Sequence, residues 1–140
     1  MVCGSVAVGG GFEAIVEEGD GRGGYVDGFV APVLPGKGEA YRAMAAKAAP
    51  IFAEYGATQV MEAWGDDLPR GKTTDFFMAV KATEDENVVF SWIIWPDKAT
   101  RDAGWAKVMA DERMKPDGDT PFDGPRMFWG GFEPMVEHKG

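Results

Sequence analysis

Two carboxylates interrupt apolar runs in this chain: Asp27 in YVDGFVAPV (Tyr25 to Val33) and Glu62 in ATQVMEAWG (Ala57 to Gly65). Burial disfavours a charged carboxylate. Such a group is therefore either paired with a cation or shifted toward the range where it exchanges protons near neutral pH, the chemistry of a general acid or base. The competing reading for both is a structural ion pair or a place at the rim of a sheet. Arg126 opens the last apolar run, where a guanidinium can clamp a substrate carboxylate bidentately or pair with Asp27 or Glu62. Asp27, Glu62 and Arg126 are thus the candidate catalytic set. Trp64, Trp92 and Trp129 are candidates for stacking on a planar ligand, and the competing reading is packing in the core or in a dimer.

Other chemistry is less well supplied. Asp66, Asp67 and Asp75 offer oxygen ligands to a hard cation, but without the regular spacing of a calcium loop they read as a solvated turn, and no metal site is assigned. The single histidine, His138, lies two residues from the end, and the single cysteine is Cys3. Neither a Ser-His-Asp nor a Cys-His arrangement is available in the body of the chain. Gly9-Gly10-Gly11-Phe12-Glu13-Ala14 fits the outline of a dinucleotide-binding turn. The helix it needs would break at Gly19, and no βαβ unit succeeds it, so no nucleotide cofactor is assigned.

The elements that must position these groups centre on VVFSWIIW, Val88 to Trp95, a strand apolar on both faces. Before it lie a strand over Tyr25 to Val33, a helix from about Gly38 to Tyr55 expected to kink near Ala46 because of Pro50, and a strand over Ala57 to Gly65. Alternation puts Asp27, Phe29, Ala31 and Val33 on one face of the first strand, and Val60, Glu62 and Trp64 on one face of the second. Asp75 to Ala82 is expected to start an edge strand, with the acidic Thr83 to Glu86 as a solvated hairpin tip. After Pro96, Asp97 caps a helix whose apolar stripe is read as Ala99, Ala103, Ala106, Val108 and Met109. The last strand is expected over Arg126 to Val136, with a bulge or bend at Gly130-Gly131. The order β-α-β-β-α-β is the ferredoxin-like split pattern, an α+β fold with an antiparallel sheet.

Composition sets the outer limits. The 140 residues carry 14 Lys and Arg against 23 Asp and Glu, a net charge of −9 that disfavours nucleic acid and anionic membrane surfaces as partners. No apolar run approaches the ~18 residues of a membrane span, there is no signal-peptide pattern, and the lone cysteine suits a reducing compartment, so a cytoplasmic location is expected. Eight of residues 1–24 are glycine, which reads as a flexible leader or the product of an upstream start codon, with the folded domain over residues 25–140.

Several segments also resemble a known family: YVDGFVAPV, YGATQVMEAWGDDLP (Tyr55 to Pro69), GKTTDF (Gly71 to Phe76), VVFSWIIWP, RDAGW (Arg101 to Trp105) and FDGPRMFWGGFEP (Phe122 to Pro134). In order and spacing they are similar to the bacterial YbaA-like family, a domain-of-unknown-function family. The resemblance spans Tyr25 to about Val136. It implies a dimeric α/β barrel, in which two ferredoxin-like subunits pair their sheets, and it brings no catalytic set. Packing gives an independent reason to expect a homodimer: two helices cover one side of a four-stranded sheet, and the other apolar side needs a second copy. The expected function is a small-molecule enzyme or ligand-binding protein working without metal or nucleotide cofactor, and the alternative is a noncatalytic homodimeric stress or interaction module.

Overall fold

The computed structural model describes residues 8–116 and 118–138. Five strands, β1 (Gly11–Gly19), β2 (Tyr25–Val33), β3 (Gln59–Asp67), β4 (Asn87–Trp95) and β5 (Phe128–Phe132), form one antiparallel sheet in the order β1-β3-β4-β2-β5. The helices are α1 (Gly38–Glu54), α2 (Phe76–Ala79) and α3 (Lys98–Ala110), with short 3₁₀ turns at Glu112–Met114 and Gly124–Arg126. The fold is therefore α+β with an open sheet.

β4 is flanked by β2 and β3, and its alternation divides the core. Val89, Ser91, Ile93 and Trp95 are buried on the helix side, where Ile93 and Trp95 pack with Ala49 and Phe52 of α1 and Val108 of α3. Trp95 is wholly inaccessible. Burying one such side chain is worth about 2 kcal/mol, so this strand anchors both helices. On the opposite face Val88 packs with Val30 and Val80, covered by Phe76 and Phe77 at the start of α2. Beyond α2 that face is open, with Phe90, Trp92 and Ile94 only half-buried and Phe128 and Phe132 of β5 exposed.

The edges of the sheet differ from expectation. Residues 11–19, read as part of a flexible leader, form β1, which pairs along β3 from Gly11↔Asp67 to Gly19↔Gln59. A break in register between Ala14 and Val16 turns both Ile15 and Val16 toward the α1 side, which ties the strand down. Phe12 packs on Phe76 and Phe90 of the opposite face, and the apolar Phe12, Ile15 and Val16 set among glutamates were the overlooked signal. Val6 and Ala7, also in that leader, lie outside the described residues. The glycines at 9–11 lead into this strand and not into a helix.

Asp75 to Ala82 is not an edge strand. Asp75 accepts from Met78 N at 2.7 Å and Gly71 N at 3.1 Å, capping the short helix α2. A side-chain cap at the start of Phe76–Ala79 outweighs the β propensity of the two phenylalanines. Glu86, expected in a solvated tip, is 6% exposed. β5 is shorter than Arg126 to Val136 and keeps regular register against β2 through Gly130 and Gly131. No bulge forms there; a Cβ at Gly131 would run into the Tyr25 ring, so that glycine serves close approach. α1 runs through Pro50 to Glu54, burying Tyr41, Ala45, Ala49, Ile51 and Phe52. In α3, Asp97 caps through Thr100 N at 2.7 Å, as expected. Its inner stripe is Arg101, Gly104, Trp105 and Val108, not the alanine series, and Met109 is 76% exposed.

Candidate functional site

Asp27 and Glu62 both point to the helix side of the sheet, as alternation requires, and their environments are opposite. Asp27 is wholly buried and its carboxylate is saturated. Oδ1 accepts from Arg101 Nη2 at 2.8 Å and Nε at 3.0 Å, while Oδ2 accepts from the indole N–H of Trp95 at 3.0 Å and of Trp105 at 2.8 Å. Arg101 itself is raised above its ordinary pKa by these bonds to Asp27, and it lies 5.2 Å from the Tyr25 ring centroid. This is a charge with every acceptor direction filled, which suits a structural tie between β2, β4 and α3.

Glu62 is different. It stands across β3–β4 from Ser91, and Tyr41 of α1 donates its hydroxyl to Oε1 at 2.6 Å. The Ser91 hydroxyl faces the same carboxylate from the neighbouring strand and favours its charged form. No arginine or lysine bonds its carboxylate among the described residues. Burial pushes its pKa up to about 7, against the smaller lowering by the Tyr41 and Ser91 hydroxyls. Tyr41 is raised well above its ordinary value by burial, with the neighbouring Glu62 charge adding to it. At neutral pH Glu62 is thus divided between carboxylate and acid, while Tyr41 stays protonated.

Glu62 is half-buried because it faces a cavity of about 710 Å³ between the sheet, α1 and the segment from Arg113 to Met127. Most of the wall is apolar: Phe29 and Ile93 from the sheet, Met44 and Phe52 from α1, Trp105 from α3, and Phe122 from the loop. Tyr41, Glu62 and Ser91 form its polar floor. Lys47 of α1, with Arg113, Lys115 and Asp119 from the loop, are its charged wall residues. Arg113 is engaged by Asp111 and Glu54, each at 2.8 Å, and Lys115 by Glu112 at 2.8 Å. A predominantly apolar hollow with a few convergent polar groups, one of them shifted in pKa, is the usual form of a small-molecule site. A second hollow of about 490 Å³ between β1 and α1 has charged Glu17, Glu18, Glu39 and Arg42 beside Ile15, Val16 and small alanines of α1. It has no buried titratable group to match Glu62.

Arg126 joins neither carboxylate. It grips Glu86 through Nη1 and Nη2, both at 2.7 Å, and Asp123 through Nε at 2.6 Å, and it donates to the Lys81 carbonyl at 2.9 Å. The hydrogen bonds from Arg126 hold Glu86 down to about 2. The pair fastens the segment before β5 to the turn before β4. The tryptophans also disperse: Trp64 packs over Gly38 at the start of α1, Trp92 lies on the open face and donates to Gln59 Oε1 at 2.8 Å, and Trp129 on β5 is 60% exposed and stacks on Phe29 at 6.3 Å. None of these three lines the cavity. The indole that does is Trp105, whose N–H Asp27 holds, so the buried ion pair orients a cavity wall. Asp66 and Asp67 are exposed at the end of β3, and Asp75 is committed to the α2 cap.

Most of these elements fall within a stretch shared with other proteins. Residues 24–124 match the family described as Protein of unknown function (DUF1428). The protein named "Uncharacterized protein YbaA" in Escherichia coli K12 is 58% identical over 114 residues, which cover 81% of this chain and 97% of that one. The protein of the same name in Shigella flexneri matches with the same identity and coverage.

Proposed function

Since the chain belongs to this YbaA-like family, and β2, α1, β3, β4 and α3 all lie within the matched segment, we propose that it is a small-molecule-binding protein with proton-transfer capacity, built around Glu62. The observation that carries this is the placement of Glu62 at the floor of an apolar cavity, with the Tyr41 hydroxyl bonded to it, Ser91 facing it across the strand pair, and no basic side chain bonded to it among the described residues. A purely structural carboxylate in this fold looks like Asp27, saturated by an arginine and two indoles. Glu62 keeps surface toward the cavity instead. Asp27 acts in this reading as a positioning residue for Trp105, and Arg126 as a brace outside the cavity.

The proposal extends to assembly. The body strands run in the order β5-β2-β4-β3, all antiparallel, which supports a ferredoxin-like subunit. The open face, with Phe90, Trp92, Ile94 and Phe132, supports pairing with a second copy into a dimeric barrel, an arrangement that leaves the cavity accessible on the other side of the sheet. The same exposed aromatics are what a noncatalytic interaction module would use. A single cysteine suits a reducing compartment, which supports a cytoplasmic location.

Native mass spectrometry of freshly purified protein, followed by release and identification of any retained metabolite, tests the reading. The expected result is a retained small organic molecule whose occupancy falls in Glu62→Gln. Unchanged occupancy in that variant would remove Glu62 from the site, and the absence of any retained molecule would favour the interaction module.

A further inference from the structure

The chemistry of the cavity floor narrows the substrate class. Glu62 offers a carboxylate base, and Tyr41 offers a hydroxyl that stands 2.6 Å from it on a residue only 5% exposed. Ser91, buried directly across the strand pair, faces the same carboxylate. No imidazole or thiol lines the cavity among the described residues. A base and a hydroxyl donor that share one hydrogen bond suit a reaction in which a proton leaves carbon while negative charge grows on a nearby oxygen. The aromatic wall of Phe29, Phe52, Trp105 and Phe122 suits a compact, flat and largely apolar body.

Resting on the assignment of Glu62 as the acid–base group, we propose that the cavity accepts a small aromatic ketone with an enolisable C–H, Glu62 taking the α-proton and Tyr41 donating to the enolate oxygen. The step balances without another reactant. The C–H electron pair becomes the C=C bond, the carbonyl π pair moves onto oxygen, and the proton goes to Glu62. Neutral Glu62 accepts less strongly from Tyr41, so the phenol turns its proton to the enolate at the moment charge appears there. Reversal returns the proton to the same carbon or, in a conjugated substrate, to another one. The raised pKa of Tyr41 supports this role, because the phenol remains a donor and does not yield its proton.

The test uses 2-tetralone in deuterated buffer at neutral pH, with loss of its benzylic α-proton signal followed by NMR and binding followed by tryptophan fluorescence. The wild type is expected to accelerate exchange about 100-fold over buffer. Glu62→Gln should abolish the acceleration. Tyr41→Phe should slow exchange about 10-fold while binding changes less than about two-fold, because its hydroxyl acts on the developing charge. Glu62→Asp, retaining a carboxylate, should keep measurable exchange and covers the case in which Glu62→Gln fails to fold. Binding without exchange overturns the enolisation and leaves the cavity reading standing. Absence of both overturns the substrate class. Titration of Glu62 in ligand-free protein judges the underlying assignment separately.

Discussion

Replacing Asp27 with asparagine keeps the volume and removes one charge, and the hydrogen-bond geometry dictates the penalty. Oδ1 faces two N–H groups of Arg101, and Oδ2 faces the indole N–H groups of Trp95 and Trp105. An asparagine can present its oxygen to only one of these pairs. Turned toward Arg101, its amide N–H₂ meets two indole donors; turned toward the indoles, it meets a guanidinium. Either way donors face donors in a site that is wholly buried on the Asp27 side. Breaking a buried ion pair costs about 3–5 kcal/mol. The Arg101 side chain is 15% exposed and has a second partner in Asp102, so the lower half of that range applies. With unfolding entropy near 2.1 cal/mol/K per residue over 140 residues, a loss of about 3–4 kcal/mol lowers the melting temperature by roughly 10–14 °C. Differential scanning calorimetry of wild type and Asp27→Asn at pH 7 measures it, with Trp fluorescence reporting the loosened Trp105. A variant that melts within about 2 °C of wild type would refute the reasoning and return Asp27 to the candidate acid–base groups.

Three further outcomes are expected. For Glu62→Gln the sign is opposite and depends on pH: folding raises the Glu62 pKa from 4.5 to about 7, so the folded state binds the proton more tightly and stability falls as pH rises through that window. The variant should match wild type at pH 4 and be more stable at pH 8 by about 3 kcal/mol in urea titrations; an equal difference at both pH values would show that Glu62 titrates normally. Deleting residues 1–24 removes β1 and the packing of Ile15 and Val16 on the α1 side but none of the sheet core, so the protein should fold with a loss of about 2–3 kcal/mol in the same titrations, and no loss would show that β1 is dispensable. Ile94→Asp, on the open face, should convert a sedimenting dimer to monomer with a preserved circular dichroism spectrum, whereas a wild type that already sediments as a stable monomer at low micromolar concentration removes the face-to-face dimer.

Alternation in the three central strands, legible in the sequence, grouped Asp27 with Phe29, Ala31 and Val33, and Glu62 with Val60 and Trp64, and the sheet keeps both groupings because a period of two leaves no freedom once one face is buried. Alternation carries no information about what lies above a face. Arg101 and Trp105, the partners of Asp27, lie four residues apart on α3, and an arginine in register with buried Gly104 and Val108 was the readable sign that it meets a buried acid. The alanine stripe concealed it. Tyr41 was legible as a buried position on α1, while its bond to Glu62 depends on how α1 crosses the sheet, which propensity does not set. Arg126 was read as a substrate clamp or a partner of Asp27 or Glu62, and Glu86 as part of a solvated tip; each lies at an element boundary, and only tertiary packing joins two such boundaries.

The protonation of Glu62 is the property on which its role as the acid–base group depends most directly. With glutamate carbons labelled and the Glu62 carboxyl resonance assigned by its disappearance in Glu62→Gln, an NMR titration of the ligand-free protein reads its midpoint. A value of about 7 is expected from its desolvation at the cavity floor. A midpoint near the ordinary glutamate value of about 4.3 would mean that water and hydroxyl donors solvate the carboxylate as they would on any surface, and would contradict Glu62 as the acid–base group of this cavity.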